Sequence, residues 1–391
     1  MLHTPEGVRD IYNDDCERKI VLESKLREVS RSYGYKPIQT PTFEYFDIFS
    51  REIGTTPSRD LYKFFDREGN TLVLRPDITP SIARCAAKYF LESGMPVRLC
   101  YTGNTFINRS SYQGRLKENT QTGAEFIGDA SVEADAEILS LCAQMLLASG
   151  LKEFQISVGN SAFLRELFAA ARLDKETVEN IKYLLQNRNF YGVEEVVKEH
   201  GIEGNLKELF ALLKDVMMTR DKLSAAIKYA DDYPGVRNAM QRLIDLEDLL
   251  RLYKIEKYVY YELAMVSNLS YYTGIIFAAY TFGSGEAIAN GGRYDDLLIN
   301  FGRPAPSVGF AVIVDQLLSA LKSQTINVPV NKDTKWLVYS KNCREDAVRD
   351  AIVLRSRGER VELMALTDEN TIEFYETQAQ ARNITDVIYY S

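Results

Sequence analysis

The sequence predicts an α+β protein: an antiparallel sheet flanked by helices, with a helical insertion and a small C-terminal α/β domain. Three observations carry this. Short β-rich runs broken by turn residues fill 35–108 and return near 258. From about 161 to 255 the composition shifts to Leu, Glu, Lys and Ala at helical spacing, with Pro234 as the single proline. Beyond 335 the pattern alternates strand, helix, strand, helix, strand. A chain of 391 residues, 46% hydrophobic and 26% charged, suits two or three globular domains of about 150 residues rather than disorder.

Element by element, Cys16, Ile20, Val21, Leu22, Leu26, Val29 and Tyr33 recur at near-helical spacing, so a helix over 13–33 ends at Gly34. YKPIQTPTFE, LYKFFDREGNTLVLRPD with its Glu68-Gly69-Asn70 hairpin signal, and VRLCYTGNTFIN read as antiparallel strands. Helical period returns over 82–91 and 134–148, the second closing at Gly150. After the insertion, KYVYYELAMV and LSYYTGIIFAAYTF read as strands, GSGEAIANGGRYDDLL as turns, and a helix follows over 313–321. The polar stretch 323–334 reads as a linker. The first domain is therefore expected over 1–322 and the last over 335–391, where helices at 343–357, stopped by Gly358, and 368–382 separate three strands.

Charge and composition exclude several function classes. A net charge of -8 argues against non-specific binding to nucleic acid or anionic membranes. No window reaches the roughly 18 apolar residues of a membrane span, and the N-terminus lacks the order of a signal peptide, so a cytoplasmic protein is expected. Cys16, Cys85, Cys100, Cys142 and Cys343 are scattered without a C-x-x-C and signal neither a disulfide framework nor a metal site. With only His3 and His200, histidine-based catalysis or metal ligation is not expected.

Candidate chemistry is sparse. Gly283, Gly285, Gly291 and Gly292 match neither a dinucleotide fingerprint nor a P-loop and read as tight turns. Asp295 and Asp296 read as a solvated turn. Tyr271 and Tyr272 sit in a strand pattern, so at most one is expected to face any one pocket. Arg75 and Asp77 end a strand-like LVL run, where a sheet surface could receive a ligand, although plain packing explains them as well.

The runs PEGVRD, YGYKPIQTPTFEYFDIF and LYKFFDREGNTLVLRPDITPSIAR, the Gly114-Arg115 region ending QTGAEFIG, YYTGIIF, and NGGRYDDLL leading to SVGFAV go further. Together, in order over about 1–322, they resemble the catalytic domain of class II aminoacyl-tRNA synthetases, specifically the histidyl type. The resemblance implies a six- or seven-stranded antiparallel sheet flanked by helices, dimeric through the first helix and the strand containing Pro41. The terminal unit resembles a shortened anticodon-binding domain.

The departures bear on function. Where that family places an arginine that grips the α-phosphate and the amino acid carboxylate, this chain has Ile107. Gln316 and Ser267 stand where two further family arginines are expected, Ile313 replaces a glycine, and Ser270 an aspartate. Removing one phosphate-clamping arginine lowers the rate by roughly 10³ to 10⁵, so the loss of three implies no useful adenylation and no catalytic residue. The positions matching the family's histidine-binding residues are Asp77, Thr79, Gln121, Glu125, Tyr271 and Tyr272. Their carboxylates suit an ammonium or imidazole N–H, and Gln121 can donate and accept.

This combination resembles the regulatory-subunit family of ATP phosphoribosyltransferase, from the first step of histidine biosynthesis. The resemblance implies a non-catalytic subunit without cofactor or metal that assembles with a short-form catalytic subunit, self-associates as a dimer, binds no tRNA and takes histidine as effector. The alternative is an active histidyl-tRNA synthetase with a rearranged ATP site, Arg109 or Arg115 standing in for the lost cations.

Overall fold

The computed structural model describes residues 3–49, 56–90, 92, 94–109, 116–267, 271–330, 334–382 and 384–391. Gly114, Arg115 and Ser270 lie outside them. The chain divides into two compact units, Met1–Val328 and Pro329–Ser391. The division falls inside the stretch expected as a linker, because Val328 is buried in the core of the first unit with Ile326 packed against it.

In the first unit, α1 (Asn13–Ser32) carries Asp14 and Asp15 in its first turn and Arg31 in its last, charges that complement the helix dipole. Gly34 follows at φ +82°, the left-handed stop the sequence signals. Next come β1 (Lys36–Pro37), β2 (Phe43–Tyr45), β3 (Lys63–Phe65) and β4 (Thr71–Leu74). α2 (Thr79–Tyr89), β5 (Val97–Phe106), β6 (Glu118–Ile127), α3 (Val132–Ala148) and β7 (Gln155–Asn160) follow. The helical insertion contains α4 (Ser161–Ala170), α5 (Lys175–Gln186), α6 (Phe190–Glu199), α7 (Gly204–Ala211), α8 (Arg220–Ala226) and α9 (Pro234–Leu252). Pro234 opens α9, where its missing N–H removes no helical hydrogen bond. β8 (Val259–Tyr261), β9 (Ile275–Tyr280), β10 (Ala289–Arg293), β11 (Ser307–Ile313) and α10 (Val314–Ser323) complete the unit.

The main sheet has the order β1-β5-β6-β11-β10-β9-β7-β8. Its six central strands are antiparallel, as the family resemblance implies, and a short strand pairs in parallel at each edge, β1 on β5 and β8 on β7. The β3–β4 hairpin, turned at Gly69 with φ +86°, joins a separate three-stranded sheet with β2.

Side-chain alternation gives the main sheet two different faces. Ala124 and Phe126 of β6, Val308 and Val312 of β11 and Phe277 of β9 point into the large core shared with α1, α3, α4, α9 and α10. The opposite face meets α2 through Ile78, Ile82, Leu99, Tyr101 and Tyr294. The four glycines expected to make turns divide accordingly. Gly283 turns at φ +81° and Gly285 lies in a bend, but Gly291 and Gly292 lie inside β10. A Cβ on Gly291 would come within 2.4 Å of the Phe277 ring, so glycine is needed there for close strand packing, not for a bend.

The second unit is a parallel three-stranded sheet in the order β13-β12-β14, from β12 (Thr334–Tyr339), β13 (Arg360–Ala365) and β14 (Asp386–Tyr390). α11 (Arg344–Ser356) covers Leu337 and Val361 with Ala351, and α12 (Ile372–Ala381) packs Tyr375 and Ala379 on Trp336 and Val338. Gly358 ends the first connection at φ +84°. Among the described residues no helix is long and apolar enough to cross a membrane.

Candidate functional site

The face of the sheet that meets α2 also holds a cavity of about 380 Å³, within the range of small-molecule sites. Its floor is every second residue of four strands: Gln121 of β6, Gly309, Ala311 and Ile313 of β11, Asn290 of β10, and Ile276, Ala278 and Tyr280 of β9. The ladder registers set these side by side, with Gly309 opposite Glu125, Ala311 opposite Asn290 and Asn290 opposite Ala278. Asp77 and Thr79 at the start of α2, and Tyr271, Tyr272 and Tyr294, form the walls.

Five of the six residues matched by resemblance line this cavity: Asp77, Thr79, Gln121, Tyr271 and Tyr272. Asp77 accepts from the Thr79 amide at 3.2 Å and the Tyr271 hydroxyl at 3.1 Å. Burial pushes its carboxyl above the ordinary range against the pull of those bonds. Gln121 lines the cavity, and its Oε1 is buried with no hydrogen-bond partner among the described residues, an acceptor left open. The sixth, Glu125, stands one layer behind. One carboxylate oxygen accepts from Thr79 Oγ1 at 2.7 Å and the other from the Tyr294 hydroxyl. The carboxyl lies so close to Gly309 that a Cβ there would overlap it, at 1.6 Å from Oε2.

Tyr271 and Tyr272 both line the cavity, which corrects the expectation that only one could. The strand begins at Ile275, so the pair lies on irregular backbone where alternation does not apply. Their rings meet at 4.9 Å between centroids, and Tyr271 stands edge-on to Tyr294 at 5.8 Å. Gly292 makes this possible, since a Cβ there would come within 2.7 Å of the Tyr272 ring. Tyr294, Gly292 and Gly309 were not singled out from sequence as site residues. Once the strands are placed, the parity of Asn290 and Gly292 on β10 is the signal that finds this face.

Arg75 does not face the ligand space. Its buried guanidinium donates to the carbonyls of Asn104, Thr40 and Pro41 and ties three chain segments together. Asp295 and Asp296 occupy a turn, with Asp295 accepting from the Ser307 amide at 3.0 Å and pairing with Arg293. Among the described residues no group of His, Cys, Asp and Glu is arranged to hold a metal ion.

The histidyl-tRNA synthetase family profile matches residues 7–317. A relative from Acetivibrio thermocellus, named ATP phosphoribosyltransferase regulatory subunit, is 36% identical over 93% of this chain and 86% of its own. The chain belongs to this regulatory-subunit family. A crystal structure from Bacillus halodurans described as an ATP phosphoribosyltransferase regulatory subunit/histidyl-tRNA synthetase matches 100% of this chain and 98% of its own, at TM-score 0.88 and 30% identity. A histidyl-tRNA synthetase from Nostoc at 19% identity and TM-score 0.79, covering 98% of this chain and 90% of its own, shares the fold.

Against this regulatory-subunit background the positions that depart from the synthetase pattern separate. Ile107 and Ser267 line the cavity beside Asp77 and Gln121, and Ile313 forms part of its floor. Gln316 lies elsewhere, in a cavity bounded by Arg9, Tyr12, Arg18 and Asp315. Arg109 also lines the first cavity.

The state of Glu125 has a measurable consequence. Burial pushes its carboxyl up to about 8, opposed by the bonds from Tyr294 and Thr79 and reinforced by Asp77. Between its ordinary value of 4.5 and about 8 the folded protein holds a proton that the unfolded chain releases. That contribution to stability is complete below 4.5 and is lost as pH rises through about 8. Urea unfolding at about pH 5 and about pH 8.5 is expected to show a decline of at most about 1.4 kcal/mol per pH unit from this group. Glu125→Gln, neutral at every pH, should flatten the curve. Parallel curves for the two proteins would mean that Glu125 is ionised when folded.

Proposed function

We propose that this chain is the non-catalytic regulatory subunit of a cytoplasmic ATP phosphoribosyltransferase, assembling with a short-form catalytic subunit and sensing histidine in the cavity beneath α2. The observation that carries this reading is the composition of one cavity. Asp77, Gln121, Tyr271 and Tyr272 supply polar contacts for an amino acid, whereas Ile107 and Ser267 stand where a synthetase needs arginines for ATP. A sec-butyl group and a hydroxyl cannot offset the charge of a transferring phosphoryl group. Feedback by histidine then follows from linkage: catalytic activity changes only if the assembly's states differ in histidine affinity, with coupling of about 1–3 kcal/mol.

Calorimetric titration tests the reading, with histidine and with ATP, on the purified chain and on its complex with the catalytic subunit. Histidine is expected to bind and ATP not to bind this chain. The opposing reading, an active histidyl-tRNA synthetase with a rearranged site, draws on Arg109 as a remaining cation in the cavity. Histidine-dependent pyrophosphate exchange by the chain alone would establish that reading and end the first.

A further inference from the structure

The described residues lining the cavity include two of formally charged type, Asp77 and Arg109; the rest are apolar, aromatic, hydroxyl or amide. A free α-amino acid brings two charges of its own. Asp77 answers the ammonium, but a carboxylate set among Ile107, Val266 and Ile313 would lose its hydration without a counter-charge. Arg109 can provide one. It is half exposed, with its side chain 52% accessible, and among the described residues its ion-pair partner is Asp60, 3.9 Å away. An exposed pair of that kind contributes little, so turning the guanidinium to a ligand gives up little. Its planar fork matches a carboxylate with two parallel hydrogen bonds.

We propose that Arg109 is the carboxylate clamp of this cavity, so that the site selects a free α-amino acid over the corresponding amine. The proposal rests on the reading that histidine is the ligand, and it adds a residue and a selection rule. Asp77 and Arg109 form the two poles of a site for a zwitterion, with Gln121 Oε1 left to accept an N–H from the bound molecule.

Titration of the full chain, alone and with its catalytic subunit, with L-histidine and with histamine separates the possibilities, because histamine keeps the imidazole and amine but lacks the carboxylate. The wild type is expected to prefer histidine by about 10- to 100-fold. Arg109→Gln should remove most of that preference by weakening histidine alone, with histamine unchanged within about threefold and Arg109→Lys intermediate. Binding of histamine by the variant also reports that its cavity is intact. If histidine binds the wild type and Arg109→Gln leaves that affinity unchanged, or weakens both ligands equally, the clamp is overturned while the histidine reading stands. If neither ligand binds the wild type in either form, both fall together.

Discussion

Asp77→Asn is expected to weaken histidine binding by about 10- to 150-fold while leaving the fold as stable as before or more stable. The carboxylate stands in a cavity where no lysine or arginine pairs with it among the described residues, and its acceptors are occupied by a backbone amide and a neutral phenol. Burial raises its carboxyl, which means that its ionised form opposes folding at neutral pH. An isosteric amide removes that opposition and with it the charge proposed to meet the ligand's ammonium. Affinity and stability should therefore move in opposite directions, the signature of a residue kept for binding. Calorimetric titration alongside urea unfolding checks both. An unchanged dissociation constant, or a large loss of stability, would assign Asp77 to the fold instead.

Asp135→Ala should lower the unfolding free energy by about 3–5 kcal/mol, the range for removing one partner from a buried ion pair. Asp135 on α3 is fully buried and holds two guanidinium groups, Arg242 of α9 at 2.5 Å and Arg293 of β10 at 2.6 Å. Arg293 is 4% exposed at its side chain, so when Asp135 is lost it stays buried, with the partly exposed Asp295 at 3.1 Å as a remaining counter-charge. Arg242 is 28% exposed, and Arg242→Ala should be milder because the remaining pair stays intact. Denaturant midpoints for the two variants test this, and a loss under about 1 kcal/mol for Asp135→Ala would show that Asp295 and the carbonyls of Asp129 and Ser131 suffice. The same triad joins the helical insertion to the strand that leads into Tyr294, so the insertion and the cavity wall share one electrostatic anchor.

Much of the fold was legible because its signals are local. The first helix, expected over 13–33 and found over Asn13–Ser32, the Gly69 hairpin, the helical insertion and the alternating terminal unit each follow from periodicity and stop residues within a single stretch. The runs that hold the edge strands β1 and β8 also read as strands, but their parallel pairing with β5 and β7 was not legible, since strand direction is set by a partner elsewhere in the chain. At the site, motif order located Asp77, Thr79, Gln121, Tyr271 and Tyr272, all of which line one cavity. Arg75 read the same way from sequence, yet its charge is spent on carbonyls from Thr40 and Asn104, which lie far from it along the chain.

By itself the sequence determined the class of fold, the family, the order of the elements and the substitution of Ile107 and Ser267 for expected cations, because each is a property of residue identity and near-neighbour spacing. Only the tertiary structure decided that Tyr271 and Tyr272 share a cavity, that Glu125 sits behind Thr79, and that Gln316 belongs to a different cavity from Ile107. Those outcomes depend on how β6, β9, β10 and β11 register against one another across long stretches of chain. They depend also on the missing side chains of Gly292 and Gly309, which leave room for an aromatic ring and a carboxyl group to lie against the sheet. Steric room and desolvation arise from atoms remote in sequence, and no pattern along the chain encodes them.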